Sequence, residues 1–150
     1  DGIRKDVLDS TKFKFIKWFI DKTDRYIVTS EEKIKICFIF KSIDILKNCE
    51  LGLVIRNYEG RIVLGCNSLD YGGKYFDLKS GDYIFKFEFI LPVIEGKYEI
   101  DIVLVSNKAI IDQWVSQTNL IIKNKFESVL DRKWRGDLNV KTFFDYDEIL

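Results

Sequence analysis

Hydrophobic and polar residues alternate with a period of two along three stretches of the chain. Residues 33–41 read KIKICFIFK, residues 82–91 read DYIFKFEFIL, and residues 97–105 read KYEIDIVLV. Such alternation predicts half-buried strands of an antiparallel sheet, and the many β-branched and aromatic residues suit a pleated surface. The apolar faces of these strands supply the expected core residues: Phe38, Phe40, Tyr83, Phe85, Phe87, Tyr98, Ile100 and Ile102.

Weaker patterns of the same kind predict four further strands, at 12–20, 51–58, 61–66 and 119–125. The strands 51–58 and 61–66 are expected to form a hairpin, because only Glu59-Gly60 separates them. Seven or eight strands joined by turns predict an all-β fold, an antiparallel sandwich of immunoglobulin-like or jelly-roll type.

The alternation weakens after Asn124. A short helix around 125–132, a turn at Gly136 and a last strand over 138–144 are the elements expected there. We therefore expect one domain over 1–150, with a leader at 1–11, a sandwich core at 12–125 and a C-terminal segment at 126–150. Since the chain begins with Asp1 and contains no Met, we expect it to be a fragment or a processed chain.

Charge and cysteine content narrow the function classes. The chain has 24 basic and 24 acidic residues, a balance that argues against binding to nucleic acid or to anionic lipid. Three widely spaced cysteines, Cys37, Cys49 and Cys66, do not resemble a disulfide framework or a zinc site. Reduced thiols in or near the core are expected, which fits a cytoplasmic protein.

Few residues are available for catalysis. The chain has no His, which excludes Ser-His and Cys-His nucleophiles, and it contains no phosphate-binding glycine loop. Glu99 and Asp101 share one strand face about 7 Å apart, a spacing that a carboxylate pair of a glycosidase could use. Every alternating strand carries such solvent-facing residues, so we favour a protein that is not an enzyme and needs no cofactor or metal.

Exposed aromatic residues are candidates for stacking on sugar rings, whose C–H faces pack on aromatic planes. Trp18 is expected to point outward, because Phe13, Phe15 and Phe19 occupy the opposite face of its strand. Burial in the core is the alternative for each Trp. Further tyrosine and tryptophan candidates are Tyr58, Tyr71, Tyr75 and Trp134. The residues that we expect to bind a sugar are Trp18, Arg56, Asn57, Gln113 and Trp114. We expect the two Trp to stack on sugar rings and the other three to hydrogen-bond to the sugar hydroxyls.

Three stretches in this order resemble one family. Residues 52–68 read GLVIRNYEGRIVLGCNS, residues 80–83 read SGDY before a strand that ends in Leu-Pro, and residues 95–102 read EGKYEIDI. The first is similar to the central hairpin, and the last to the Gly-x-Tyr strand, of the C-terminal domain of Wzt-type subunits. Those subunits are the nucleotide-binding components of ABC transporters that export O-antigen and related polysaccharides.

The resemblance implies a non-catalytic sandwich that recognises an exported, O-antigen-like polysaccharide of lipopolysaccharide at the cytoplasmic face of the inner membrane. It also implies an ATPase domain in the parent chain, a membrane permease as partner and a homodimer. The apolar run 138–144 follows a polar tether, so it is a candidate for exchange between protomers. A module of a glycosyltransferase or methyltransferase and a sandwich that serves only assembly remain alternatives.

Overall fold

The computed structural model describes residues 2–5, 12–21, 26–124, 130 and 132–149, which form a β-sandwich of two sheets. The strands in chain order are β1 (Gly2–Lys5), β2 (Phe13–Ile20), β3 (Ile27–Thr29), β4 (Lys33–Ser42), β5 (Leu46–Arg56), β6 (Ile62–Asn67), β7 (Phe76–Leu78), β8 (Gly81–Ile90), β9 (Gly96–Ser106), β10 (Ala109–Ser116) and β11 (Leu120–Lys123). A 3-10 turn at Asp70–Gly72 and the short helix α1 (Arg132–Arg135) complete the described elements. The predicted all-β sandwich is confirmed.

The two sheets differ in size. The small sheet has the order β2-β4-β8, and both of its strand pairs are antiparallel. The large sheet has eight strands arranged around β9, which pairs antiparallel with β5 on one side and with β10 and β11 on the other. Strand β3 is parallel to β11, and all the other described pairs are antiparallel. None of the described residues belongs to a helix long and apolar enough to cross a membrane.

The core lies between the inward faces of β4, β5 and β9. Alternate residues of these strands are almost fully buried: Ile34, Ile36, Phe38, Phe40, Leu51, Leu53, Ile55, Tyr98, Ile100, Ile102 and Leu104. The periodicity of β4 and β9 was therefore a sound guide to their faces. On β8 the inward residues Tyr83, Phe85, Phe87 and Phe89 are only half-buried. Strand β8 is an edge strand of the small sheet, as is β2, whose inward residues Phe15 and Trp18 are nevertheless buried.

A bulge in β2 reverses the expected orientation of Trp18. The register against β4 shifts between Phe15 and Lys17, so the side chains after the shift point to the opposite faces. Trp18 is 2% exposed and its Nε1 donates a 2.7 Å hydrogen bond to Ser116 Oγ, whereas Phe19 is only half-buried. The expectation that Trp18 faces solvent is wrong, because it assumed an uninterrupted period of two.

The predicted hairpin is present, but its loop is longer than expected. Strand β5 ends at Arg56 and β6 begins at Ile62, so five residues rather than two connect them. Asn57 shapes the loop: its Oδ1 accepts hydrogen bonds from the backbone N–H groups of Glu59 (3.0 Å) and Arg61 (2.9 Å). Gly60 adopts φ +80°, a conformation that glycine accommodates without strain.

The C-terminal segment packs on one end of the sandwich without joining a sheet. Within this single chain, the run 138–144 makes one isolated bridge, between Val93 and Leu138, instead of the expected strand. Most of the helix predicted at 125–132 lies outside the described residues, and α1 begins at Arg132. The leader predicted at 1–11 contains β1, which the sequence pattern missed, and residues 6–11 lie outside the described part.

Candidate functional site

A polar cluster lies on the outer face of the large sheet, where β5, β9 and β10 run side by side. Arg56 on β5 is paired with Glu99 on β9, and Asp101 lies two residues further along β9. Strand alternation places these three side chains on the face opposite the core residues Ile55 and Ile100. Gln113 on β10 projects from the same face.

Asp101 holds the cluster together. Its side chain is 4% exposed, and its carboxylate accepts hydrogen bonds from Arg56 Nη1 at 2.8 Å and from Gln113 Nε2 at 3.2 Å. Arg56 Nη1 also lies 3.6 Å from Glu99 Oε1, whose side chain is 44% exposed. The buried Asp101 carboxylate therefore has both a charged and a neutral hydrogen-bond donor. Its contact with Arg56 fixes the orientation of the Arg56 guanidinium.

The same contacts bear on the carboxylate pair that the sequence suggested for glycoside hydrolysis. Glu99 and Asp101 do share a face, as expected, but the Arg56 guanidinium lies within ion-pair distance of both. An inverting glycosidase keeps a water between its two carboxyl groups, and a retaining enzyme needs an accessible nucleophile. A carboxylate as buried as Asp101 and engaged by two partners fits neither role.

An open cavity of about 290 Å³ begins at this cluster and extends to the β5–β6 loop. We name it the Arg56 cavity; its lining consists of Arg56, Asn57, Tyr58, Gly60, Lys97, Glu99 and Asn119. The elements that position these residues are the end of β5, the β5–β6 loop, the start of β9 and the residue before β11. The cavity combines cationic, acidic and amide groups with one aromatic ring.

A second cavity of about 430 Å³ adjoins the first at Tyr58. We name it the Asp137 cavity; its lining consists of Asn57, Tyr58, Glu59, Arg61, Val63, Ile94, Glu95, Gly96, Lys97, Tyr98, Lys133, Gly136 and Asp137. Three residues, Asn57, Tyr58 and Lys97, line both cavities. The Tyr58 side chain is 71% exposed and therefore stands between two open spaces.

The C-terminal segment forms the far wall of the Asp137 cavity. Asp137 Oδ1 accepts a hydrogen bond from Arg61 Nη2 at 2.9 Å, and Arg135 Nη1 lies 2.7 Å from Glu95 Oε1. Partial burial raises the pKa of Glu95, but hydrogen bonds from Arg135, the Glu95 backbone and Asn124, with the Arg135 charge, outweigh it and leave this pKa below its ordinary value. Glu95 is therefore held as a carboxylate against the segment.

The structure brings together only some of the residues predicted to bind sugar. Arg56 and Asn57 both line the Arg56 cavity, and Gln113 lies one strand away, linked to Arg56 through Asp101. Trp114 is a core residue: it is 3% exposed and stacks on Phe15, with ring centroids 6.5 Å apart. Neither Trp114 nor Trp18 presents a ring face to solvent, so the stacking role expected for them is incorrect in this fold.

Sequence reasoning did not assign Lys97, Glu99 and Asn119 to the site. They come from segments far from the β5–β6 loop in sequence, and only the register of β5, β9 and β11 brings them together. Tyr58 was named among several aromatic candidates, and its position in a five-residue loop distinguishes it from the buried Trp side chains. The signal for this site in the sequence was a polar residue next to a predicted hairpin loop.

The described residues contain no group of three or more His, Cys, Asp or Glu side chains arranged to hold a metal ion. The three cysteines are free thiols; Cys37 and Cys49 are buried, and Cys66 is half-buried. Burial and, secondarily, the charge of Asp70 raise the pKa of Cys66 to about 11. Cys49 belongs to the core cluster and Cys66 packs against it, and none of the three thiols lines either cavity.

Comparison with known proteins identifies related domains. A family model described as the Wzt C-terminal domain matches residues 14–123. The crystal structure of the C-terminal domain of wzt superposes with a TM-score of 0.72 at 15% identity, covering 98% of this chain and 89% of that chain. A Niemann-Pick type C2 protein from Japanese carpenter ant superposes with a TM-score of 0.54 at 18% identity, covering 81% and 99%. At these identities the two structures show the fold alone. A search of curated protein sequences found no match.

Proposed function

The chain belongs to the Wzt C-terminal domain family, and on that premise we propose that it is a non-catalytic module that binds an exported polysaccharide for an ABC transporter. The observation that carries this proposal is the Arg56 cavity, an open polar groove placed on a rigid sheet face. Family membership supports an association with polysaccharide transport. The groove supports the finer statement, which is direct recognition of an O-antigen-like glycan.

The groove has the chemistry that a glycan requires. Sugar hydroxyls both donate and accept hydrogen bonds, and the groove offers the Arg56 and Lys97 donors, the Glu99 acceptor and the Asn119 amide. The Asn57 Oδ1 is engaged in the loop, so its amide N–H₂ is the group left for a ligand. The exposed Tyr58 ring supplies an apolar plane for the C–H face of a sugar.

Rigidity favours binding as well. The Arg56 guanidinium is oriented before any ligand arrives, because Asp101 and Glu99 both hold it. A preorganised donor loses less conformational entropy on binding than a free Arg side chain does. Gln113 on β10 donates a hydrogen bond to Asp101 and so helps to hold Arg56 in place. We therefore keep Gln113 in the proposed site as a residue that supports Arg56.

The transporter assignment includes partners and location. In this proposal an ATPase domain of the parent protein and a membrane permease act with the module at the cytoplasmic face of the inner membrane. The module itself forms a homodimer. Family membership is the support for each of these statements, and the single chain adds the exposed apolar run 138–144 as a candidate interface.

A titration tests the proposed site. Surface polysaccharide from the organism that makes the protein is titrated into the chain, into Tyr58→Ala and into Tyr75→Ala, with calorimetric detection. Tyr58→Ala should lose tenfold or more in affinity through loss of the stacking plane, about 1.4 kcal/mol. Tyr75, 55% exposed beside β7, is the matched control and should change affinity less than about twofold, a change worth about 0.4 kcal/mol.

The same titration discriminates the alternatives. Absence of binding by the folded wild-type chain would contradict the proposal and leave a sandwich that serves only assembly. Release of shorter sugars during incubation would show a glycosidase instead. Equal affinity losses in Tyr58→Ala and Tyr75→Ala would move the binding site away from the groove.

A further inference from the structure

The Asp137 cavity and the Arg56 cavity adjoin each other. They share the lining residues Asn57, Tyr58 and Lys97, so one extended ligand that contacts these residues can occupy both. The Arg56 cavity alone, at about 290 Å³, lies at the lower end of the usual range for ligand sites, about 300–1,000 Å³. The Asp137 cavity, at about 430 Å³, provides space for a further unit.

We propose that the Asp137 cavity is a second sugar subsite, so that the protein binds a chain of at least two uncharged sugar residues across Tyr58. This inference rests on the proposed glycan-binding function. It adds the minimum length of the ligand, its charge class and a part of the site that includes the C-terminal segment.

The lining of the Asp137 cavity favours an uncharged, hydroxyl-rich ligand. Its charged residues balance, with Arg61, Lys97 and Lys133 against Glu59, Glu95 and Asp137. Arg61 Nη2 pairs with Glu59 Oε2 at 3.1 Å and with Asp137 Oδ1 at 2.9 Å, so much of this charge is neutralised within the wall. Paired ions still donate and accept hydrogen bonds to hydroxyl groups without attracting a net charge.

The apolar part of the lining suits the ring faces of a sugar. Half-buried Val63 lines the same cavity as the charged groups and the Tyr58 ring, and the largely buried Ile94 and Tyr98 contribute to its wall. Ligand sites commonly combine such apolar walls with a few polar groups that fix orientation. A sugar ring presents both kinds of surface, whereas a simple ion or a purely apolar ligand presents one.

The C-terminal segment makes the subsite, because contacts on both sides of Gly136 hold it. Besides the ion pairs of Asp137 and Arg135, the Asp137 carbonyl accepts a hydrogen bond from Ile94 N at 3.2 Å, and Asn139 N donates to Pro92 O at 2.8 Å. A ligand that contacts this wall stabilises its docked position by linkage. Occupancy of the second subsite therefore favours the docked segment.

Oligosaccharides of defined length test this proposal. Fractions of one, two and three residues are prepared from the organism's surface polysaccharide by partial acid hydrolysis and titrated into the wild-type chain. The two-residue fraction should bind at least tenfold more tightly than the one-residue fraction. Because the ligand is uncharged, raising the salt from 0.05 to 0.5 M should change the two-residue affinity less than about threefold.

Variants locate the second subsite. Asp137→Ala removes the pair with Arg61 and should reduce the gain from the second residue to about threefold or less, with single-residue affinity unchanged. Lys133→Ala leaves the Arg135 and Asp137 contacts in place and should reduce that gain partly. Asp77→Ala is the matched control: it breaks the exposed Lys47–Asp77 pair at the opposite end of β5 and should change neither affinity.

The outcomes separate the two levels of the proposal. Binding by no fraction would overturn the glycan-binding function and the second subsite with it. Equal affinity for one-residue and two-residue fractions would overturn the second subsite and leave the Arg56 cavity as the glycan site. A length gain that both Asp137→Ala and Lys133→Ala retain would also overturn it, as would a strong loss of affinity with salt.

Discussion

Asp101 shows how a single buried charge organises the candidate site. Its carboxylate sits on a sheet face that ordinarily meets water, yet Arg56 and Gln113 cover it. Burying a carboxylate is costly unless it is paired and hydrogen-bonded, so the pair with Arg56 is a condition of the fold as much as a feature of the groove.

This dependence gives a stability prediction. Arg56→Ala should lower the free energy of unfolding by about 2–4 kcal/mol, because it leaves Asp101 buried without its charged partner. The double variant Arg56→Ala, Asp101→Val should recover much of the loss, since no buried charge then remains. Urea unfolding of the three proteins measures this; a single variant as stable as wild type would show that Asp101 does not need Arg56.

The thiol of Cys66 gives a reactivity prediction. With a pKa of about 11, about 0.1% of the thiol is ionised at pH 8, against roughly a quarter for a free cysteine. Burial also raises the pKa of Cys37 and Cys49. Native protein should therefore react with Ellman's reagent at least a hundredfold more slowly than unfolded protein, which should release three equivalents. A fast native equivalent would contradict this environment for Cys66.

Trp18 marks the residue-level limit of sequence analysis. The sequence FKFIKWFI is compatible with either face for the Trp, and periodicity alone selects the outward one. One extra residue at the bulge reverses that choice, and no local pattern in the sequence announces it. Arg56 and Asn57, in contrast, lie next to a glycine-containing hairpin signal, and both line the Arg56 cavity; their role in binding stays a prediction.

At the scale of strands, equal alternation on β4 and β8 gives unequal burial. Phe38 on the central strand β4 is 0% exposed. Phe87 on the edge strand β8, which pairs with Ile36 of β4, is half-buried. The alternation predicted the inward face of both strands. It carried no information on which strand had neighbours on two sides, because strand order is set by contacts distant in sequence.

This difference predicts unequal costs for two similar substitutions. Phe38→Ala should cost about 3–5 kcal/mol of unfolding free energy, as a large-to-small change in a closed core does. Phe87→Ala should cost roughly half as much, because its site already meets solvent and loses less buried area. Chemical denaturation measures both. A Phe87→Ala cost below about 1 kcal/mol would contradict the inward orientation of its side chain.

The ion pair between Arg135 and Glu95 predicts a pH dependence for the C-terminal segment. The native pKa of Glu95 is lowered, so the pair contributes its full stabilisation above the ordinary Glu value of about 4.3 and loses it as the pH falls through the native pKa. Glu95→Gln should therefore have a lower thermal midpoint than wild type at pH 7, and the difference should shrink below the ordinary Glu pKa of about 4.3 and vanish below the lowered native pKa. A constant difference across this range would contradict the lowered pKa.

At the scale of the whole molecule, the fold class followed from repeated alternation over many strands, and single errors of register did not alter it. Strands β1, β3 and β7 escaped prediction because three or four residues are too few to show a period. Strand β10 escaped because a register shift between Ile110 and Asp112 interrupts its pattern. The two cavities could not be foreseen, because strand register assembles the Arg56 cavity from β5, β9 and the residue before β11, and the C-terminal segment completes the Asp137 cavity.

The apolar side chains of the C-terminal segment are uncovered in one copy of the chain. Leu138, Val140, Phe143 and Phe144 are 62%, 55%, 87% and 88% exposed, respectively. Four such side chains in seven residues are more than a soluble monomer usually exposes in one short run. A second copy that receives 138–144 as a strand would bury them and cover an open sheet edge. The exchange between protomers therefore remains our prediction for the dimer.

Light scattering on four proteins tests the exchange. The full chain should have twice the monomer mass at high concentration, and a chain that ends at Arg135 should be monomeric. The variant Phe143→Asp, Phe144→Asp keeps the contacts of Asp137 and Asn139 and should also be monomeric, because two buried, unpaired charges oppose strand pairing. Ile149→Asp is the control, because native Ile149 is 97% exposed and lies outside the run 138–144. This variant should remain dimeric. A monomeric full chain would exclude exchange, and a dimer that survives truncation would place the interface on the sandwich itself.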